Sequence, residues 1–161
     1  MTTRPASIAL ASVLTALALG PLAAAAHAGD LWATVNICDT EAHPDTLGVR
    51  ARMPGDGEHE RMYMRFTAQF RSKDRWRQVD DGAVSRWIYV GSALYRNQEQ
   101  GYTFHFQPPP KGETYLLRGL VQFQWRRGSR IVHRTHVYTT SHHHSRYADP
   151  KGYSASTCTI R

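Results

Sequence analysis

Hydrophobic and polar residues alternate with a period of two along most of this chain. Between Met62 and Phe70, one side collects Met62, Met64, Phe66, Ala68 and Phe70, and the other Tyr63, Arg65, Thr67 and Gln69. From Tyr115 to Trp125, one side holds Tyr115, Leu117, Gly119, Val121, Phe123 and Trp125. Its other side holds Leu116, Arg118, Leu120, Gln122 and Gln124. Side chains of an extended chain point alternately to opposite faces, so both runs read as strands with one buried face. Shorter runs predict strands over Leu31–Cys38, Leu47–Met53, Trp76–Val79, Trp87–Val90, Tyr102–Phe106 and Ile131–Thr140.

The connections agree. Ser72-Lys73-Asp74 and Arg127-Gly128-Ser129 read as short hairpin turns. Pro54-Gly55-Asp56-Gly57 and Pro108-Pro109-Pro110-Lys111-Gly112 read as longer breaks. The single helix candidate runs from Ser92 to Gln100 and closes at Gly101. Short strands at this spacing predict an all-β fold, an antiparallel sandwich of about seven to nine strands.

The first residues follow a different rule. Arg4 is the only charged residue before Asp30, and Ile8–Leu19 is an apolar core interrupted by Gly20-Pro21. Ala26-His27-Ala28 then offers small residues where a signal peptidase reads. These three parts predict a removable secretory signal over residues 1–28 and one domain over 29–161. A membrane span needs about 18 or more uninterrupted apolar residues, so none is expected after cleavage, and the protein is expected outside the cell.

Cys38 and Cys158 are the only cysteines. An even count in an oxidising compartment predicts one disulfide joining the start of the domain to its end. A loop of that length is worth about 4–5 kcal/mol on the chain-entropy account.

The segment TYLLRGLVQFQWRRGSRIVHRTHVYTT, Thr114–Thr140, resembles the last hairpin of immunoglobulin-like or fibronectin-III-like domains. A tyrosine opens its long first strand, as a tyrosine corner would, and a tight turn leads to the final strand. The resemblance implies a β-sandwich whose last two strands lie beside the Met62–Phe70 strand. The cysteines sit at the two ends of the domain, unlike the inter-sheet pair of immunoglobulins. Signal, sandwich and end-to-end crosslink together resemble secreted actinobacterial proteins, in keeping with 17 Arg against 3 Lys. This resemblance implies no particular activity, because a sandwich hosts many functions.

Charge narrows the candidate chemistry. Residues 29–161 carry 19 Lys and Arg against 13 Asp and Glu. No acidic residue falls between Thr114 and Ala148, where Arg118, Arg126, Arg127, Arg130, Arg134 and Arg146 account for the whole excess. In an immunoglobulin-like sheet the outward face would collect Arg65, Arg71, Arg118, Gln122, Gln124 and Arg126. Arg134, His136 and Tyr138 would join if the last strand's register allows. The candidate anion-binding set is therefore Arg65, Arg71, Arg118, Arg126, Arg134 and His136. Its expected partner is an anionic wall polymer or acidic glycan, or another protein. The plain alternative is a solvated face that keeps the protein soluble. Motifs for specific nucleic-acid reading are absent.

Other chemistry finds less support. His142-His143-His144 are adjacent, and neighbours in an ordered chain seldom point at one ion. His133 and His136 fall on opposite faces of a strand. Glu58-His59-Glu60 reads as a solvated loop tip. No metal ligand set or cofactor is expected. No G-x-S-x-G elbow, H-E-x-x-H or Walker loop occurs, so no catalytic residue is assigned. His105 is expected on the outer face of its strand. A secreted enzyme, or an inhibitor acting through a loop, is the competing class. Trp125 falls on a core face, and Trp32, Trp76 and Trp87 read by default as core too, whereas an exposed pair among Trp76, Trp87 and Tyr89 would form a sugar-stacking platform.

Overall fold

The computed structural model describes residues 31–161, the side chain of Asp81 excepted, so the signal expected over residues 1–28 lies outside the described residues. Nine strands follow in order: β1 (Trp32–Thr40), β2 (His43–Met53), β3 (Arg61–Ser72), β4 (Arg75–Gln78), β5 (Ile88–Ser92), β6 (Gln98–His105), β7 (Tyr115–Arg127), β8 (Arg130–Tyr138) and β9 (Cys158–Ile160). Among the described residues there is no α-helix, only a 3-10 turn at Asp81–Ala83. No helix among them is long and apolar enough to cross a membrane.

The strands make two antiparallel sheets. One has three strands in the order β1-β2-β6. The other is built on the β3–β7 pair, which runs from Arg61 opposite Arg126 to Phe70 opposite Leu117. Along the free side of β3, β5 covers Arg61–Met64 and β4 covers Gln69–Ser72. Along the free side of β7, β8 covers Leu120–Arg127 and β9 covers Tyr115–Leu117.

The alternation dictates what lies between the sheets. Met62, Met64, Phe66 and Ala68 of β3 and Leu117, Val121, Phe123 and Trp125 of β7 are buried against Val35, Leu47, Val49 and Phe104 of the smaller sheet. Burying a side chain of this size contributes about 1.5–3 kcal/mol. The sheets leave no room for a side chain at Gly119, where a Cβ would meet Val49 Cγ2 and Thr139 Cγ2, each at 2.8 Å.

Cys38 on β1 and Cys158 on β9 form the expected disulfide, across a sequence separation of 120. Because β1 and β9 belong to different sheets, the crosslink joins the two layers. The chain between β8 and β9 crosses the edge of β1. Val35 and Ala155 exchange backbone hydrogen bonds of 2.9 and 3.1 Å, and the Asp149 amide donates to Asn36. That edge is thereby closed to other chains.

One expectation is overturned. Ser92–Gln100 is not a helix: Ser92 ends β5, a turn follows, and Gln98–Gln100 open β6 opposite Met53, Arg52 and Ala51. The local pattern there is weak, and the backbone ladder with β2 provides hydrogen bonds over eight consecutive pairs.

Candidate anion-binding face

The register of the larger sheet brings its polar positions together on the outer side. Across β3 and β7, Arg61 lies opposite Arg126, Tyr63 opposite Gln124, Arg65 opposite Gln122 and Gln69 opposite Arg118. From β8, Arg134 joins beside Gln124, His136 beside Gln122 and Tyr138 beside Leu120. Tyr89 of β5 stands opposite Tyr63, and Trp76 of β4 opposite Arg71. A twofold side-chain period keeps each set on one face.

Guanidiniums and rings interleave across this face. Arg126 lies 4.2 Å from the ring centroid of Tyr63 and 5.3 Å from that of Trp87, while Arg61 lies 4.6 Å from that of Tyr89. Arg65 packs on Trp87 at 5.0 Å, and Arg118 stands between Tyr138 at 3.8 Å and Trp76 at 4.4 Å. The ring quadrupole attracts a cation held this way. Three glutamines complete the lattice: Arg65 Nε donates to Gln122 Oε1 at 2.9 Å, Arg118 Nε to Gln69 Oε1 at 2.8 Å, and Arg126 Nε to Gln124 Oε1 at 2.8 Å. Burial lowers the Arg118 pKa below the ordinary arginine value, with the nearby Arg71 charge adding to that effect, while Tyr138 opposes it.

Among the described residues, the outward positions of β3, β7 and β8 hold no carboxylate. Arg71 pairs with Asp74 at 3.3 Å in the β3–β4 turn. Among the described residues, Arg61, Arg65, Arg118, Arg126 and Arg134 have no carboxylate within ion-pair distance. An open depression of about 450 Å³ lies in the middle of the face, lined by Arg65, Trp87, Gln122, Gln124, Arg134 and His136.

All six residues of the expected set, Arg65, Arg71, Arg118, Arg126, Arg134 and His136, therefore lie on one face, with Arg71 at its edge. Sequence reading missed Arg61, whose strand it began one residue late. It also missed that Trp76 and Trp87 are half-buried platforms under arginines. Trp125 is in the core, and its indole donates to the Pro54 carbonyl.

The remaining histidines and acids go elsewhere. His143 stacks on Trp32 at 4.5 Å, His144 Nδ1 faces the Gly152 carbonyl, and His142 adopts a positive φ of 73°. His133 lies against Trp125, on the side of β8 away from His136. His105 is exposed on β6, its Nδ1 3.2 Å from Thr46 Oγ1. No group of three or more His, Cys, Asp or Glu among the described residues is placed to hold a metal ion. The reading of Glu58-His59-Glu60 as a solvated tip needs correction at Glu60. Its side chain is buried, because the loop folds it under Arg127, which donates to Glu60 Oε1 at 3.1 Å. No family model, curated protein or solved structure matches this chain.

Proposed function

We propose that this protein is a secreted, immunoglobulin-like binding module that holds an anionic surface polymer on the outer face of its larger sheet. The observation that carries the reading is the set of five guanidiniums on that face without a carboxylate partner among the described residues. Like charges placed directly opposite one another across strands, as Arg61 and Arg126 are, destabilise a sheet. A solvated face intersperses both signs, whereas the outward positions of β3, β7 and β8 carry cations and no carboxylate. Stacking and glutamine hydrogen bonds hold the Arg65, Arg118 and Arg126 planes in place. Less freedom is then lost when their outer N–H groups engage an anion.

The immunoglobulin-like reading is supported by the strand order β1-β2-β6 in one sheet and β4-β3-β7-β8 in the other, with the long β7–β8 hairpin beside β3. Secretion is supported by the signal pattern in residues 1–28 and by a disulfide, which persists in oxidising compartments.

The test is retention of the disulfide-bonded protein on immobilised wall polymers and heparin across a salt gradient. Retention lost with salt, and lost in the R118S/R126S/R134S variant with the fold intact by circular dichroism, is the expected result. Absence of retention at low salt overturns the proposal.

A further inference from the structure

The cations of this face are not gathered round one point. They fall into three groups along the strands. At one end, Arg61 and Arg126 are register partners, braced by Tyr63, Tyr89 and Trp87. In the middle, Arg65, Arg134 and His136 border the 450 Å³ depression. At the other end stand Arg118 and Arg71, which share Trp76. Arg118 and Arg126 are eight residues apart on one strand, so the end groups are separated by about 27 Å at 3.4 Å per residue.

We infer that the ligand is a linear acidic polysaccharide that lies along β3 and β7 and engages all three groups together. The inference rests on the reading of this face as anion-binding. No group is enclosed: the central depression is open, and Arg61, Arg71, Arg134 and His136 are exposed. A single anion at any one group keeps most of its hydration, and an exposed ion pair of this kind is weak. A chain carrying repeated charges makes its second and third contacts intramolecularly and releases counterions at each.

The aromatic rings favour a polysaccharide over a single-stranded nucleic acid. Bases bind such strips by stacking on free aromatic faces. Here the faces of Tyr63, Trp76, Trp87 and Tyr138 carry guanidiniums. Gln69, Gln122 and Gln124 line the same track beside the arginines, adding amide groups suited to sugar hydroxyls.

The experiment is titration calorimetry of the disulfide-bonded protein with sulfated oligosaccharides of increasing defined length, and with oligothymidylate of matched charge. Affinity should rise at least tenfold from a disaccharide to an oligomer spanning about 27 Å, then level off. The dependence of log affinity on log salt should steepen with it, from about −1 to about −3 or −4. The end-group substitutions Arg61→Gln and Arg71→Gln, both at exposed positions, should each weaken the long oligomer about threefold to fivefold and so shrink its gain over the disaccharide. Equal affinity for all lengths overturns the extended mode while leaving an anion site. Tighter binding of oligothymidylate overturns the polysaccharide assignment. Failure of every polyanion to bind at low salt removes both the inference and the proposed function beneath it.

Discussion

The guanidinium of Arg118 on β7 lies 3.8 Å from the ring centroid of Tyr138 on β8, so a cation covers a ring across the edge pair of the larger sheet. Trp76 of β4 approaches the same guanidinium at 4.4 Å, and Gln69 of β3 accepts from its Nε. One side chain thus ties four strands together.

Substituting Arg118 with alanine should lower stability by about 1–2 kcal/mol, since two ring contacts, a hydrogen bond and the packing of its stem are lost together. Urea denaturation of Arg118→Ala, Tyr138→Ala and the double variant checks this. The two substitutions should be non-additive, because they remove the same contact. Strict additivity would contradict the coupling.

Stability should fall in mildly acidic solution through His143. Burial lowers its pKa below 6.5, and His142 and His144 add their repulsion. Arg50, which packs on the other stacking partner Trp32, is a further nearby cation. With the folded pKa depressed, the unfolded chain binds the proton more readily. The loss therefore sets in as pH drops below about 6.5 and is complete once the folded pKa has been passed. The urea midpoint measured at pH 5 and pH 7.5 should differ less in His143→Phe than in the natural protein.

Removing the disulfide in the Cys38→Ser/Cys158→Ser variant should cost about 4–5 kcal/mol, since it frees a loop of 120 residues. Hydrogen exchange should show the largest added opening in β9 and in the Ala155 segment that covers β1, because β9 pairs over only three residues.

Gly119→Ala should destabilise by about 1–3 kcal/mol, the usual cost of overpacking. The new methyl would meet Val49 and Thr139, one from the facing sheet and one just past the end of β8. Combining it with Val49→Ala should restore part of the loss in a thermal melt. A Gly119→Ala protein as stable as the natural one would show that the sheets separate easily there.

Much of the fold was legible because strand patterning is local. A residue's parity along β3 or β7 decides whether it faces the core or water, which is why Phe66, Phe123 and Trp125 were assigned inward and Arg65 and Arg118 outward. The pairing of Cys38 with Cys158 required only a count and a compartment. Strands without such contrast were harder. β9 is three residues long, and the Gln98–Gln100 segment is uniformly polar, so neither carries a period that sequence reading can use.

What the sequence by itself determined was an all-β chain, the inward and outward sides of its long strands, the crosslink, and the arginines on the outward side of each long strand taken singly. The tertiary structure alone decided which strands neighbour one another, and with that the joining of Arg61 to the face and the placing of Trp76 and Trp87 beneath arginines. It also decided the burial of Glu60 under Arg127. Facing is a property of consecutive residues, whereas a cation meets its ring only through hydrogen-bonded registers between segments far apart in the chain, and those registers are chosen by the packing of the whole core.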